Sequence, residues 1–259
     1  MVFPKGRDEV AQVLRFANQR GILVVPFGQG SSLEGHTISR QGGISLDTRL
    51  MGEILDIRPE DLAARVEPGV KHGKLNASLE EYDLFFPVDS GWAASIGGMA
   101  AINASGTNAV RYRVTNDQVL GLEVVLADRT VAKTGGMAIK SSAGYNLTTL
   151  FVGSESTLGV FTQVTLRLYP ILEYVLAARA VFPDIEAAGR AAVATIRSGM
   201  LIGRVERVDA RMIEAVNTYK GTDYAVSATL FLESGGREAS VEEGGTSRGR
   251  VWRAVARRR

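Results

Sequence analysis

The segment Pro26-Phe-Gly-Gln-Gly-Ser-Ser-Leu-Glu-Gly-His36 places glycines at 28, 30 and 35 around two adjacent hydroxyls. Backbone without Cβ atoms turns sharply and can aim several N–H groups at one anion, which is how a pyrophosphate is held without a lysine. Ser31 and Ser32 add hydroxyl donors. By itself such a loop is either an anion cradle or an ordinary turn. A dinucleotide fingerprint would need a helix directly after the glycines, and here the chain runs through Thr37 and Ile38 to a second glycine turn, Gly42-Gly43. Gly69-Val-Lys-His-Gly73-Lys74-Leu75 is one residue short of a nucleotide-binding P-loop and lacks the hydroxyl that holds magnesium, so Lys71 and Lys74 read as a solvated helix face.

Two more clusters of small residues follow. Ser95-Ile-Gly97-Gly98-Met-Ala-Ala-Ile-Asn103-Ala-Ser105-Gly106 either packs tightly on the core or lets a flat, bulky group approach the backbone, with Asn103 and Ser105 supplying edge hydrogen bonds. Lys140-Ser-Ser-Ala-Gly144-Tyr-Asn146 precedes Gly153-Ser-Glu155-Ser-Thr-Leu-Gly159-Val160. Three clusters in one stretch of chain point to one extended ligand held along its length.

The elements that must position these clusters are legible in outline. Val10, Val13, Leu14 and Ala17 keep helical spacing after Asp8, the predicted N-cap, and Gly21 ends that helix. Strands are expected at 22–25, 44–46, 54–57, 63–66, 120–127 and 163–168, and a helix over 70–82. The segment 87–118 has little periodicity. Beyond Pro170 a strand (175–182), helix (185–197), strand (201–205), helix (210–219) and strand (226–232) suggest a second α+β domain. Periodicity stops after Glu233, and residues 236–259 read as a disordered Arg/Gly-rich tail.

Composition narrows the class. A 259-residue chain with 45% hydrophobic residues, 29 glycines and 7 prolines reads as loop-rich and globular. The absence of cysteine excludes disulfides, thiolate catalysis and cysteine-held metal centres within these residues. Residues 237–259 hold seven arginines against three glutamates, so the preceding 236 residues sum to −2 within a chain total of +2. The positive charge belongs to the tail, and no nucleic-acid surface is inferred. No apolar run reaches the ~18 residues of a membrane span. The opening residues lack a signal-peptide pattern.

Four ordered stretches resemble the flavin domain of the vanillyl-alcohol oxidase/p-cresol methylhydroxylase (PCMH) superfamily. They are PFGQGSSLEGH at 26–36, FPVDSGWAASIGGMAAINASGTNAVRY at 86–112, DQVLGLEVVLAD at 117–128 and KSSAGYNLTTLFVGSESTLGVFTQVTLRL at 140–168. The nearest branch is the D-lactate dehydrogenase (cytochrome) and glycolate oxidase D-subunit group, over residues 2–235. The resemblance implies an α+β fold: a two-subdomain PCMH-type FAD-binding domain over 1–170, then a partial α+β substrate cap over 171–235. It implies FAD as cofactor, with Gly28, Gln29, Gly30, Ser31, Ser32 and Leu33 around the pyrophosphate, flanked by Pro26, Gly35 and His36. Pro87, Ser95, Gly97, Gly98, Asn103, Ser105, Gly106 and Tyr112 would line the flavin and its phosphates. Glu155, Gly159, Val160 and Thr162 would lie near the adenosine half or close over the cofactor. Some members attach FAD through a histidine near His36; in this branch the flavin is normally non-covalent.

The implied activity is oxidation of a small D-2-hydroxy acid, with glycolate or D-2-hydroxyglutarate as alternatives, and electron transfer to a cytochrome, quinone or flavoprotein. The expected location is cytoplasmic, peripheral to the inner membrane. Three positions depart from the family pattern: Arg113 and Ser156 stand where glycine is usual, and Asn116 where arginine is usual. They bear on cofactor affinity and not on the fold. The family's catalytic base and metal ligands lie in its second half, and neither His36 nor His72 matches them, so no catalytic or metal-binding residue is assigned. The passage into Arg/Gly-rich sequence near Ser240 is read as a shifted frame or early stop, giving a truncated and inactive FAD-binding fragment as the alternative.

Overall fold

A computed structural model describes residues 1–90 and 93–238. Most of the predicted tail, from 239 on, lies outside the described residues. The chain divides into two units: Met1–Gly106 with Arg113–Ile171, and Thr107–Tyr112 with the residues from Leu172 onward.

In the first unit, α1 (Arg7–Gln19) buries Val10, Leu14 and Ala17 on one stripe, and Gly21 ends it at φ +62°. The N-cap is Gly6, without a side-chain bond, and not Asp8. Asp8 and Glu9 sit in the first turn instead, where carboxylates favour the positive end of the helix. The strand expected at 22–25 lies two residues later as β1 (Val24–Phe27), half-buried, pairing in parallel with β2 (Ile44–Asp47). No helix intervenes between them. β3 (Ile54–Arg58) and β4 (Ala63–Val66) form a hairpin, followed by α2 (His72–Leu79), which buries Leu75 and Leu79. β5 (Leu84–Phe85) and α3 (Ile96–Ala101) come next.

Between α3 and β6 (Val119–Val125) the chain passes through the segment that carries α4 (Ala109–Tyr112), part of the second unit. β7 (Val131–Gly135) was not anticipated, because its polar Lys133 and Thr134 mask the strand pattern. After α5 (Leu147–Phe151), β8 (Val160–Arg167) starts three residues earlier than its alternation predicts. Val164 and Leu166, with Leu168 just past the strand, are fully buried as that alternation requires. The main sheet is antiparallel in the order β3-β4-β8-β6-β7, and β9 (Tyr169–Pro170) pairs with β5. Phe86, Ile96 and Met99 pack with these strands in the largest core cluster.

The second unit is the β-α-β-α-β run expected from the sequence: β10 (Tyr174–Phe182), α6 (Ile185–Arg197), β11 (Ile202–Val208), α7 (Ala210–Lys220) and β12 (Ala228–Gly236). Its sheet is antiparallel in the order β10-β12-β11. Asp184 and Asp209 cap the two long helices, accepting from Ala187 N (2.6 Å) and Met212 N (2.8 Å). Ala187, Ala188 and Ala191 keep the α6 face small enough to lie close on Leu230 and Leu232. β12 runs to Gly236, so the ordered ladder extends past the point where periodicity fades. Within this unit Arg111 donates to the Gly235 carbonyl (2.6 Å) and Arg204 to Asn108 Oδ1 (2.8 Å). No helix among the described residues is long and apolar enough to cross a membrane.

Candidate functional site

The first unit contains a cavity of about 390 Å³, and two of the three small-residue clusters meet there. Pro26, the run Gly28 to Leu33, and His36 form one wall; Ser95, Gly97, Gly98 and Ser105 a second; Glu155 and Val160 a third. β1 delivers the first wall, because its ladder with β2 ends at the Phe27–Asp47 pair and releases the chain into the glycine turn. Ser95 caps α3, its hydroxyl accepting from Gly98 N at 3.4 Å, and presents that wall's small residues. The third wall is tied to the second by backbone: Gly153 N and Glu155 N donate to the carbonyls of Ala100 and Ala101, each at 2.9 Å.

Close approach explains several glycines. A Cβ on Gly28 would collide with Ser95 Oγ, and one on Gly97 would lie 2.5 Å from Pro68 Cβ. The backbone N–H groups of Gln29 to Leu33 carry no hydrogen bond to another described residue. Five open donors on a wall shaped by absent Cβ atoms fit an anionic linker such as the FAD pyrophosphate. The small α3 residues leave room for a flat ring system beside it.

The remaining predicted residues stand outside this lining, among those described. Gly35 borders a neighbouring hollow with Glu34 and His36. Asn103, at φ +48°, accepts from Asn116 N at 2.9 Å and props the turn after α3. Gly106 passes so near Asp89 that a Cβ would overlap its carbonyl. Gly159 fits against Val124 and the Val125 carbonyl. Thr162 points into the sheet, donating to Glu123 Oε1 at 2.9 Å. Pro87 is outside the lining, and Tyr112 lies on α4 with the second unit. The cluster at 140–146 does not line the cavity either: Asn146 caps α5 through Thr149 N (3.1 Å), and Tyr145 is 94% exposed. Of the three clusters expected along one ligand, this cavity brings together two, with Glu155, Ser156, Val160 and Phe161 beside them.

Phe27, Thr48, Pro68, Met99 and Phe161 line the cavity without having been singled out. Their types carry no chemical signal, although Pro68 sits in a Glu-Pro-Gly turn and Phe27 lies inside the glycine-rich segment. Arg113 and Ser156 do stand at glycine-like torsions, φ +64° and +63°.

Comparison with known proteins places the chain in a family. Residues 1–135 match the model of the FAD binding domain family, and residues 171–248 match that of the FAD linked oxidases, C-terminal domain. The chain is 45% identical to a probable mitochondrial D-lactate dehydrogenase of Danio rerio, covering 94% of this chain and 50% of that protein. It is 44% identical to the mitochondrial D-lactate dehydrogenase [cytochrome] of Arabidopsis thaliana, covering 94% and 43%. It is 35% identical to the glycolate oxidase subunit GlcD of Bacillus subtilis, covering 93% and 52%. The chain thus spans about half the length of these relatives. A solved structure of alkyldihydroxyacetonephosphate synthase superposes with a TM-score of 0.81 at 20% identity, over 98% of this chain and 51% of that one, which shows a shared fold. With a family match over residues 1–135, more than half its length, the chain belongs to the FAD binding domain family.

Proposed function

We propose that this chain holds FAD in the cavity of its first unit, with the pyrophosphate against Gly28 to Leu33, and serves the oxidation of a small D-2-hydroxy acid. The open row of N–H donors from Gln29 to Leu33 carries the reading, since it offers positive ends of backbone dipoles where, among the described residues, no lysine or arginine lines the wall. The hydroxyls of Ser31 and Ser32 add donors, and Ser95, Gly97 and Gly98 let the ring system approach the backbone of α3. FAD supplies a two-electron acceptor for a hydride leaving the substrate carbon. On this reading 1–170 is the flavin domain and 171–235 the beginning of a substrate cap. The printed names of the relatives favour D-lactate, with glycolate or D-2-hydroxyglutarate as alternatives, and a cytochrome as electron acceptor over a quinone or flavoprotein. An acceptor of that kind suits a location beside the inner membrane.

A second reading, FAD binding without turnover, is favoured by the cavity wall itself. Among its described residues His36, Glu34 and Glu155 are the only titratable side chains, and no arginine lies there to clamp a substrate carboxylate. Anaerobic addition of D-lactate to the FAD-loaded chain separates the two, because reduction bleaches the flavin band near ~450 nm. Bleaching is the expected result. Bound flavin left oxidised by D-lactate, glycolate and D-2-hydroxyglutarate would establish the holding role instead, and failure to take up FAD would remove both.

A further inference from the structure

We propose that Asp47, Arg49 and Phe27 are positioning residues of the cofactor cradle, acting through a chain of contacts that ends on Gly30. The proposal rests on the assignment of the loop as the FAD pyrophosphate site. Phe27 and Asp47 face each other as the last pair of the β1–β2 ladder. The Asp47 side chain is completely buried, and it accepts from the Arg49 backbone N (2.9 Å), from Nε (2.9 and 3.0 Å) and from Nη2 (2.6 Å). These bonds leave the guanidinium one orientation, with its carbon 5.6 Å from the centroid of the Phe27 ring. The ring in turn touches Gly30, where a Cβ would lie 2.6 Å from Cζ and 3.2 Å from Cε2. Thr48 fixes the other end of Phe27, its hydroxyl donating to the Phe27 carbonyl at 3.2 Å.

A completely buried carboxylate is costly unless a cation and hydrogen bonds satisfy it. Here its partner is a half-exposed arginine whose guanidinium carbon lies over the Phe27 ring, 5.6 Å from its centroid. Asp47 and Arg49 are absent from the cavity wall, whereas Phe27, Thr48 and Gly30 belong to it. The pair therefore reaches the ligand only through the ring, which holds Gly30 at φ +64° and with it the direction of the neighbouring N–H groups.

Titration of the apo-protein with FAD, followed by quenching of flavin fluorescence, tests this. Arg49→Gln and Phe27→Leu should each raise the FAD Kd about tenfold with the far-UV circular dichroism unchanged. Combined, they should be no more than about twofold worse than either alone, because both break the same chain. Arg49→Lys, which keeps the charge toward Asp47 but loses the paired N–H bonds and the planar group over Phe27, should fall between the unaltered chain and Arg49→Gln. Unchanged affinity in the single variants, a double variant equal to the product of the singles, or a lysine no better than glutamine would each overturn the proposal. Should Arg49→Gln fail to fold, Phe27→Leu decides alone, and an FAD Kd unchanged in it overturns the proposal. An unaltered chain that binds no FAD refutes the cofactor assignment itself, a separate result.

Discussion

The two glycine-bearing walls of the cavity differ in what Gly30 and Gly97 supply. In the loop after β1, Gly30 stands at φ +64°, a torsion that L side chains seldom adopt. In α3, Gly97 has ordinary helical torsions, and what it lacks is room, because the backbone and ring of Pro68 occupy the place of a side chain. Gly30 needs conformational freedom as well as space, a Cβ there lying 2.6 Å from Phe27 Cζ, and Gly97 needs absent volume alone. The turn at 155–156 uses neither device, since Glu155 and Ser156 adopt positive φ with full side chains and bear the strain.

The largest effect should come from filling the second wall. Gly97→Ala sets a methyl against Pro68 Cα and O at 2.9 Å, and overpacking against backbone should cost about 2–3 kcal/mol, read as a fall of several degrees in Tm. Gly30→Ala should cost about 1–2 kcal/mol for the left-handed torsion, with displacement of Phe27 and loss of FAD affinity beyond what the stability change explains. If the loop substitution proves the more damaging to Tm, the division between volume and torsion is wrong. Smallest should be Ser156→Gly, which relieves the torsion but loosens the unfolded chain, for a net gain of about 0.5–1 kcal/mol. Arg113→Gly should act alike, since the exposed ion pair it removes, Arg113–Asp117 at 3.7 Å, contributes little. A loss of stability in both would show that these residues are relaxed where they stand.

The parts of the molecule that were legible in the sequence are those where one face is dry. β8 announced itself through Val164, Leu166 and Leu168, and the second unit through its alternating strand and helix segments beyond Pro170. β7 escaped because its solvent face carries Lys133 and its buried position a threonine, Thr134, which shares a hydrogen bond with Thr148 (2.9 Å). At the site, the glycine loop and α3 were readable because backbone approach restricts residue type. Phe27, Thr48 and Met99 were not, since any residue of suitable volume can wall a cavity. Nor could sequence tell which small-residue cluster faces inward: 140–146 has the composition of the others, yet Asn146 serves a helix cap.

The interruption at 107–112 has a consequence in time. Asn108 meets Arg204 and Arg111 meets the Gly235 carbonyl, partners 96 and 124 residues further along. At a synthesis rate of roughly 5–20 residues per second, Arg111 waits on the order of 6–25 s on the ribosome before its acceptor exists. Until then the strands on either side of it can pair only across an untethered excursion, so completion of α4's surroundings is expected to be a late event in the birth of the molecule.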